Sequence, residues 1–386
     1  MKLKLVSVIR VLYYIVLIEL IIGGSGRIFE IGPITLRMVL FGVCVVFSLF
    51  YNIKYKGTNT EIINIQIAFL FLLALGTIVG ILNDADLGLI FEDLKPLLFF
   101  FLFNFFYISI NSISDIKKTI TIIKYSALFL ATSYIILVIL LTFNIINFTS
   151  FYQLADSGDF MFRTTNMFFY KGFLYLGIGF LFYLVEPNIK NKLISLFFFI
   201  TLCLTLTRGF IIMSFSVALL YILFINNNKW SKISLSAGML VTAVYAIPII
   251  TQLMGNRDES NNIRFTQIDQ VLSKISGISI FTGHGFGIGV PIRPMHMEIS
   301  YLEIFHKQGI LGIVFWIGLL AVMIIRYTKM KNKYNKHLAL PFLLSCIFIY
   351  LQSLTNPYMN NPIGLTMILI SYVIIYKLSH KSGLKI

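Results

Sequence analysis

Charged and polar residues are scarce in this chain of 386 residues. Only 12% are charged, against about 25% in soluble proteins, and 58% are hydrophobic. This composition argues against a soluble domain. The cysteines are odd in number, lack metal-ligand spacing and all fall in apolar runs: Cys44, Cys203 and Cys346. We interpret them as small apolar residues without a redox role.

Acidic residues are few, with 16 Asp and Glu against 31 Lys and Arg, for a net charge of +15. Such an excess can indicate nucleic-acid binding, but the cations concentrate in short loops on one side of the apolar runs, such as Lys117 and Lys118. This positive-inside pattern predicts two cytoplasmic termini, contact with membrane lipids and no nucleic-acid partner. The first apolar run lacks an A-x-A cleavage site, so we expect a retained signal anchor.

Apolar runs long enough to cross a bilayer fill most of the chain. A spanning helix needs about 20 mostly apolar residues, and these runs lack the alternation of β-barrel strands. The predicted fold class is all-α, a polytopic membrane protein with about 12 transmembrane helices in a single domain (1–386) and one large periplasmic loop (254–305). The predicted spans are 5–22, 35–52, 62–82, 90–110, 119–143, 166–185, 193–207, 210–226, 233–253, 306–326, 338–354 and 362–377.

Arginines are the candidate anion ligands, because a guanidinium stays charged and binds phosphate oxygens through two donors. Four of them can reach the predicted outer face: Arg163, Arg208, Arg264 and Arg293. A cluster of cations without matching carboxylates indicates an anionic ligand. The alternative is a structural ion-pair network with the acidic residues Asp156, Asp159, Asp258, Glu259 and Asp269.

Arg208 lies in a short turn between two predicted spans. It follows Lys192, which marks the inner interface, by sixteen residues, or about 24 Å of helix at 1.5 Å per residue. The hydrocarbon core is about 30 Å thick, so Arg208 is expected somewhat below the outer surface, in a wet outward-facing cavity. The alternative is a side chain that extends upward and caps the carbonyl groups of its own helix end.

His296 and Glu298 come just before the predicted tenth span. A histidine with a pKa near 6.5, or a partly buried carboxylate, suits a general base for a hydroxyl nucleophile. The alternative is an interfacial histidine that anchors the start of the helix. Earlier in the chain, Asp93 and Lys95 are expected to pair with each other or with Glu92.

Glycines alternate with other residues at Gly283, Gly285 and Gly287. Their spacing matches neither G-x-G-x-x-G nor the P-loop, which argues against a nucleotide-binding fold. Their backbone N–H groups could approach a phosphate, or the run could be a set of turns. Residues 263–275 have helical apolar spacing and predict a helix that lies in the outer interface or covers the bundle. No metal-ligand spacing stands out, so neither a metal nor a cofactor is predicted.

Several local motifs follow one another in a characteristic order. They are Thr207-Arg208-Gly209 between two spans, an arginine that opens a large outer loop, the Gly-x-Gly-x-Gly stretch, His296, Tyr301-Leu302 and Gly309-Ile310-Leu311-Gly312. This order resembles the O-antigen and capsule polymerase family (Wzy-type) and the related O-antigen ligases. The predicted topology resembles that family over the whole chain.

The resemblance implies a metal-independent glycosyltransferase of the bacterial inner membrane, with its active site on the periplasmic side. Such an enzyme transfers a growing glycan from undecaprenyl diphosphate to a hydroxyl of another lipid-linked repeat unit, with inversion. By the same resemblance, Arg208 and Arg264 would hold the diphosphate leaving group, and Arg163 or Arg293 would assist. Either of the two candidate bases would take the acceptor proton. A chain-length regulator protein is an open further partner.

The chain departs from the ligases at one point. Their histidine stands in a His-Asn-x-x-Leu pattern, whereas here Glu298 occupies that register and His296 lies two residues earlier. A lipid-linked oligosaccharide flippase is the transporter alternative, but transport sites usually lie near the middle of the membrane. The charged Arg10, Lys124 and Lys171 instead fall near span ends. The predicted function is therefore an O-antigen or polysaccharide polymerase, with the ligase and the flippase as alternatives.

Overall fold

The computed structural model of the chain describes residues 2–24, 26, 30–31, 34–55, 57, 59–155, 160–225, 233, 237 and 258–380. Apart from two of its residues, the predicted span 233–253 lies outside this set. Residues 156–159, with two of the candidate acidic partners, and residues 254–257, at the start of the predicted loop, also lie outside it.

Helices make up nearly all of the regular structure. They are α1 (Lys2–Ile22), α2 (Leu36–Tyr55), α3 (Thr60–Leu82), α4 (Leu87–Leu97), α5 (Phe103–Ser109), α6 (Ile113–Thr142), α7 (Phe148–Ala155), α8 (Leu174–Leu184), α9 (Ile189–Leu204), α10 (Arg208–Leu220), α11 (Asp258–Ser273), α12 (Ser279–Thr282), α13 (Ser300–Lys329), α14 (Lys333–Gln352) and α15 (Pro362–Ser379). Two short antiparallel hairpins join β1 (Glu30–Ile31) to β2 (Ile34–Thr35) and β3 (Phe160–Phe162) to β4 (Phe168–Tyr170). The predicted all-α fold class is confirmed.

Seven of the described helices are long and apolar enough to cross a membrane: α1, α2, α3, α6, α13, α14 and α15. Shorter apolar helices cover Lys171–Leu184 and Arg208–Phe224. Many of the helices begin at a side chain that accepts backbone N–H bonds, which replaces the missing partners of the first turn. These N-caps include Asn59, Asp86, Ser112, Asn188, Asn332 and Asn361. The chain is a polytopic helical membrane protein.

Two predicted spans have a different local structure. The predicted span 90–110 is interrupted, because α4 ends near Pro96 and the 3₁₀ turn Leu98–Leu102 connects it to α5. Proline lacks the N–H that an α-helix needs in its interior. The predicted span 166–185 begins as strand β4 and becomes α-helical only at Leu174. Both irregular segments border the candidate site described below.

The centre of the bundle is formed by α8 and α15. Every residue of α8 is buried, as are nearly all residues of α15, whereas α2 and α3 present large apolar side chains such as Val46 and Phe71 to the outside. Such exposed apolar faces suit contact with lipid. Gly177 of α8 gives the ring of Phe348 room to approach the helix backbone, since a Cβ there would lie 2.3 Å from that ring.

Helix α13 is broken near its start by Gly309, whose φ is 64°. This left-handed conformation is costly for residues that have a Cβ. The break separates a first segment, residues 300–308, from the longer membrane helix that follows. That first segment carries Glu303 and Lys307, and the break positions both at the cavity end of the bundle.

Candidate functional site

A cavity of about 900 Å³ lies at the end of the bundle that holds the loop between α11 and α13. Pockets of roughly 300–1,000 Å³ hold small-molecule ligands, so this volume is near the upper end. The lining comes from segments far apart in sequence: β2 and the start of α2, α4, the β3–β4 hairpin, the long loop, the start of α13 and residues 356–363.

Three of the four predicted arginines line this cavity together. Glu298, also in the lining, accepts a hydrogen bond from Arg264 Nε at 2.9 Å and one from Arg293 Nη2 at 2.7 Å. Asp269 was one of the expected acidic partners, but it is exposed, and the carboxylate that pairs with two arginines is Glu298. These two ion pairs hold the half-buried carboxylate of Glu298 in place.

Arg163 is the third cation of this group. No carboxylate pairs with it among the residues that the structure describes, and its buried Nε has no hydrogen-bond partner there. Burial, and then the neighbouring charge of Arg264, lower the pKa of Arg163 from its usual value. A guanidinium remains charged despite such a shift. Three cations against one carboxylate leave a positive region in the cavity wall, which favours an anionic ligand.

Carboxylates, in contrast to the arginines of the other wall, lie beside His296. Its Nδ1 lies 3.4 Å from Glu303 Oε1 and 3.5 Å from Asp93 Oδ1. Lys307 Nζ donates to both of these carboxylate oxygens, at 2.6 Å to Asp93 and 2.7 Å to Glu303. The lysine and both carboxylates are buried, whereas the imidazole is about half exposed. The hydrogen bond to Glu303 is the largest cause that raises the pKa of His296, and burial opposes it.

The donor atoms of Asp93, His296 and Glu303 lie within 4.8 Å of one another, close enough for metal ligands. Here the ammonium of Lys307 already contacts one oxygen of each carboxylate. A cation of the protein itself therefore occupies the position between the two acids. This geometry suits an ion-pair cluster better than a metal centre.

Arg208, the fourth predicted arginine, is not one of the cavity-lining residues. It begins α10 and is half-buried. Its neighbour Gly209 packs so closely on the next segment that a Cβ would lie 2.7 Å from Thr355 Oγ1. The side chain of Asn356, which does line the cavity, lies 3.6 Å from the same point, so the start of α10 packs against a segment of the cavity wall.

The predicted loop glycines are also outside the cavity lining. Gly283, Gly285 and Gly287 all have φ between 73° and 88°. Gly285 packs against α3, where a Cβ would lie 2.0 Å from the backbone nitrogen of Gly80. The glycine run thus lets the loop fit against neighbouring helices, and it brings the N–H of Gly287 within 2.7 Å of Asp93 Oδ2.

Two expectations about neighbouring residues need correction. Asp93 pairs with Lys307 instead of Lys95, because residues two apart on a helix point in different directions. Lys95 does pair with Glu92, at 3.7 Å. The helix expected at 263–275 is present as α11, and the apolar Val271 is buried on it; the polar Gln267 is also buried, whereas the apolar Leu272 is 55% exposed. Arg264 and Gln267 turn inward because both bond to residue 298.

Four residues of the site were not predicted from the sequence: Asp93 as a cavity residue, Glu303, Lys307 and Asn360. A signal was present for two of them. Glu303 and Lys307 are four residues apart, the spacing at which side chains meet on one helix face. Lys307 also falls inside a predicted span, where an ionisable residue is costly and often functional.

The fold and the cavity define a polytopic helical membrane protein with an arginine-rich pocket at one end of its bundle. No family model matches the chain. It is 28% identical over 359 residues to an O-antigen polymerase of Shigella flexneri, and the alignment covers 91% of this chain and 90% of that protein. The similarity confirms the resemblance to the O-antigen polymerase family.

Proposed function

We propose that this chain is a polysaccharide polymerase of the bacterial inner membrane. It joins undecaprenyl-diphosphate-linked oligosaccharide repeat units on the periplasmic side. The observation that carries the proposal is one cavity lined by three arginines and a histidine: Arg163, Arg264, Arg293 and His296. The similarity to an O-antigen polymerase supports the reaction class. The basic short loops support an orientation with this cavity outside and both termini in the cytoplasm.

The arginine side of the cavity binds the donor diphosphate. An oxygen of an acceptor hydroxyl attacks the anomeric carbon of the donor glycan while the bond from that carbon to the diphosphate oxygen breaks. The electron pair of this bond leaves with the diphosphate, whose growing charge faces fixed guanidinium groups. The hydroxyl proton passes to His296 Nε2. A single displacement of this kind inverts the anomeric centre.

His296 suits the base role better than Glu298. Each oxygen of Glu298 accepts a hydrogen bond from one arginine, so both oxygens already have a partner within the protein. His296 is half exposed to the cavity, and its Nδ1 faces carboxylates. Its Nε2 is then the nitrogen available to a substrate hydroxyl. Arg208, which is not among the lining residues, stays a separate hypothesis for diphosphate binding.

The first experiment compares surface glycans of the native host with and without this gene. Surface lipid that carries a single repeat unit in the deletion strain, with a full ladder restored by complementation, supports the polymerase. Repeat units trapped on lipid of the inner leaflet would indicate a flippase instead. Long chains retained on undecaprenyl diphosphate, with a bare lipid core, would indicate a ligase.

Arg163→Ala is the sharpest variant for the site, because its removal leaves no carboxylate without a partner among the described residues. Loss of a charge-assisted hydrogen bond of about 1.5–3 kcal/mol predicts chain growth slowed roughly 10- to 150-fold. Lys331→Ala is the matched control, since this exposed cation lies in the loop between α13 and α14, at the opposite end of the bundle. Full activity of Arg163→Ala and Arg264→Ala, at normal membrane levels, would contradict the site.

A further inference from the structure

Behind the exposed ring of His296 lies a buried carboxylate that the proposed reaction has not yet used. Glu303 Oε1 is 3.4 Å from His296 Nδ1, and the Glu303 side chain is only 6% exposed. The ring faces the cavity on its other side, because it is 49% exposed and belongs to the lining. The arrangement is that of an imidazole held by an acid on one nitrogen, with the second nitrogen directed toward substrate.

Glu303 is itself fixed by Asn360, which lies on another segment, and by Lys307, which lies one turn further along the same helix. Asn360 Nδ2 donates to Glu303 Oε2 at 2.6 Å, and Lys307 Nζ donates to Oε1 at 2.7 Å. Ser300 Oγ in turn donates to Asn360 Oδ1 at 2.9 Å, which orients the amide. Both carboxylate oxygens therefore have donors, and the side chain has little freedom to turn away from the histidine.

The charges around His296 come from two elements. Asp93 on α4 and Glu303 on α13 are negative, and Lys307 on α13 is positive. One negative charge is thus left over beside the ring, and an imidazolium would neutralise it. Hydrogen bonding to Glu303 is the first cause of the raised pKa of His296; the charges of Glu303 and Asp93 raise it further, whereas Lys307 lowers it.

Asp93 is the less suitable partner for the imidazole. Its Oδ1 lies 3.5 Å from the ring nitrogen without a hydrogen bond, and it already accepts from Lys307. Its Oδ2 accepts from the N–H of Gly287. Among the described residues, Glu303 is therefore the acid that makes a hydrogen bond with the imidazole, and Asp93 contributes only its nearby charge.

We infer that Glu303 is a positioning residue for His296; this inference rests on the proposed function. It accepts a hydrogen bond from the Nδ1–H group, fixes the neutral tautomer whose Nε2 lone pair faces the acceptor hydroxyl, and stabilises the imidazolium after proton transfer. Lys307 and Asn360 hold Glu303 in place for this role. The same geometry recurs in catalytic dyads in which an acid orients a histidine without taking its proton.

The test is a pH–rate profile of purified protein in nanodiscs. The substrate is undecaprenyl-diphosphate-linked repeat units extracted from the host that lacks the gene. A base with a raised pKa loses activity as pH falls through that pKa. Glu303→Gln removes the charge that raises it, so the acidic limb should move to lower pH. Loss of orientation should also lower the plateau rate by about tenfold or more.

Glu92→Gln is the matched control, because it removes a carboxylate from the same cavity that does not contact the histidine. The acidic limb of its pH–rate profile should fall at the same pH as that of the wild type. If Glu303→Gln has a lower plateau rate but its acidic limb stays at the pH of the wild type, the inference is overturned and Glu303 has only a structural role. His296→Gln tests the base role of His296 separately from the positioning role of Glu303. Full activity of His296→Gln would refute the base role itself.

A second measurement observes the imidazole of the wild-type protein directly, and a variant is needed only to assign its signal. Nitrogen NMR of histidine-labelled wild-type protein, read above the pKa of the ring, reports which nitrogen carries the proton. We expect Nδ1–H for His296, assigned by its loss in His296→Gln. A neutral ring protonated at Nε2 would contradict the role of Glu303.

Discussion

The buried ammonium of Lys307 should contribute more to stability than any exposed cation of the cavity. Its Nζ lies 2.6 Å from Asp93 and 2.7 Å from Glu303, and its side chain is 3% exposed. At an effective dielectric constant of about 20, each contact gives roughly 6 kcal/mol of Coulomb attraction. Desolvation of the three ions offsets most of this gain, at several kcal/mol per ion.

Lys307→Met keeps the length of the side chain and removes its charge. The two carboxylates would then remain buried without their cation, a situation that typically costs about 3–5 kcal/mol. Lys95→Met is the matched control at the same end of the bundle. Its ion pair with Glu92 spans 3.7 Å between side chains that are 37% and 44% exposed, and pairs of this kind contribute about 0–1 kcal/mol.

Thermal unfolding in nanodiscs measures the difference. We expect the midpoint of Lys307→Met to fall by about 4–6 °C and that of Lys95→Met by no more than about 1 °C. A further variant, Lys307→Met with Glu303→Gln, removes one of the orphaned charges and should recover part of the loss. Equal midpoints for the two lysine variants would refute the argument that the cluster is a buried ion network.

Two further predictions concern backbone and charge. Gly285→Ala and Gly309→Ala should each lower the unfolding midpoint, because a left-handed conformation costs about 1–2 kcal/mol for a residue with a Cβ and both sites are closely packed. Gly42→Ala is the control and should leave the midpoint unchanged, because a Cβ there meets nothing within 4 Å. Glu298→Gln should retain chain growth with an altered KM for the diphosphate-linked donor, because its carboxylate pairs with two arginines. Complete loss of the plateau rate in Glu298→Gln, beside an active His296→Gln, would make Glu298 the base instead.

The membrane helices could be predicted from the sequence because the physical rule behind them is local. A run of apolar residues must satisfy its own backbone, so α1, α2, α3 and α6 follow directly from hydropathy. The breaks were harder to predict. Pro96 marks the end of α4 in the sequence, but the left-handed Gly309 depends on the packing of Phe281 against the same point.

The candidate site was predicted in part. The arginines of the loops and His296 stood out by residue type, since they are cations in outer segments of an apolar chain. Their partners did not, because the contacts join distant positions: Arg264 meets Glu298 across 34 residues, and Lys307 meets Asp93 across 214. Pairing between residues this far apart in sequence depends on tertiary packing, which cannot be deduced directly from a single sequence.

The separation between Asp93 and Lys307 has a consequence for biosynthesis. The ribosome makes the lysine 214 residues after the aspartate, which at 5–20 residues per second is a delay of roughly 10–40 s. During this interval α4 has already been made, while Lys307, whose ammonium contacts the Asp93 carboxylate in the mature protein, does not yet exist. The nascent chain must therefore keep Asp93 protonated or in contact with water at the membrane surface. Insertion of α4 to its final depth then becomes one of the last steps in assembly, completed when the start of α13 arrives.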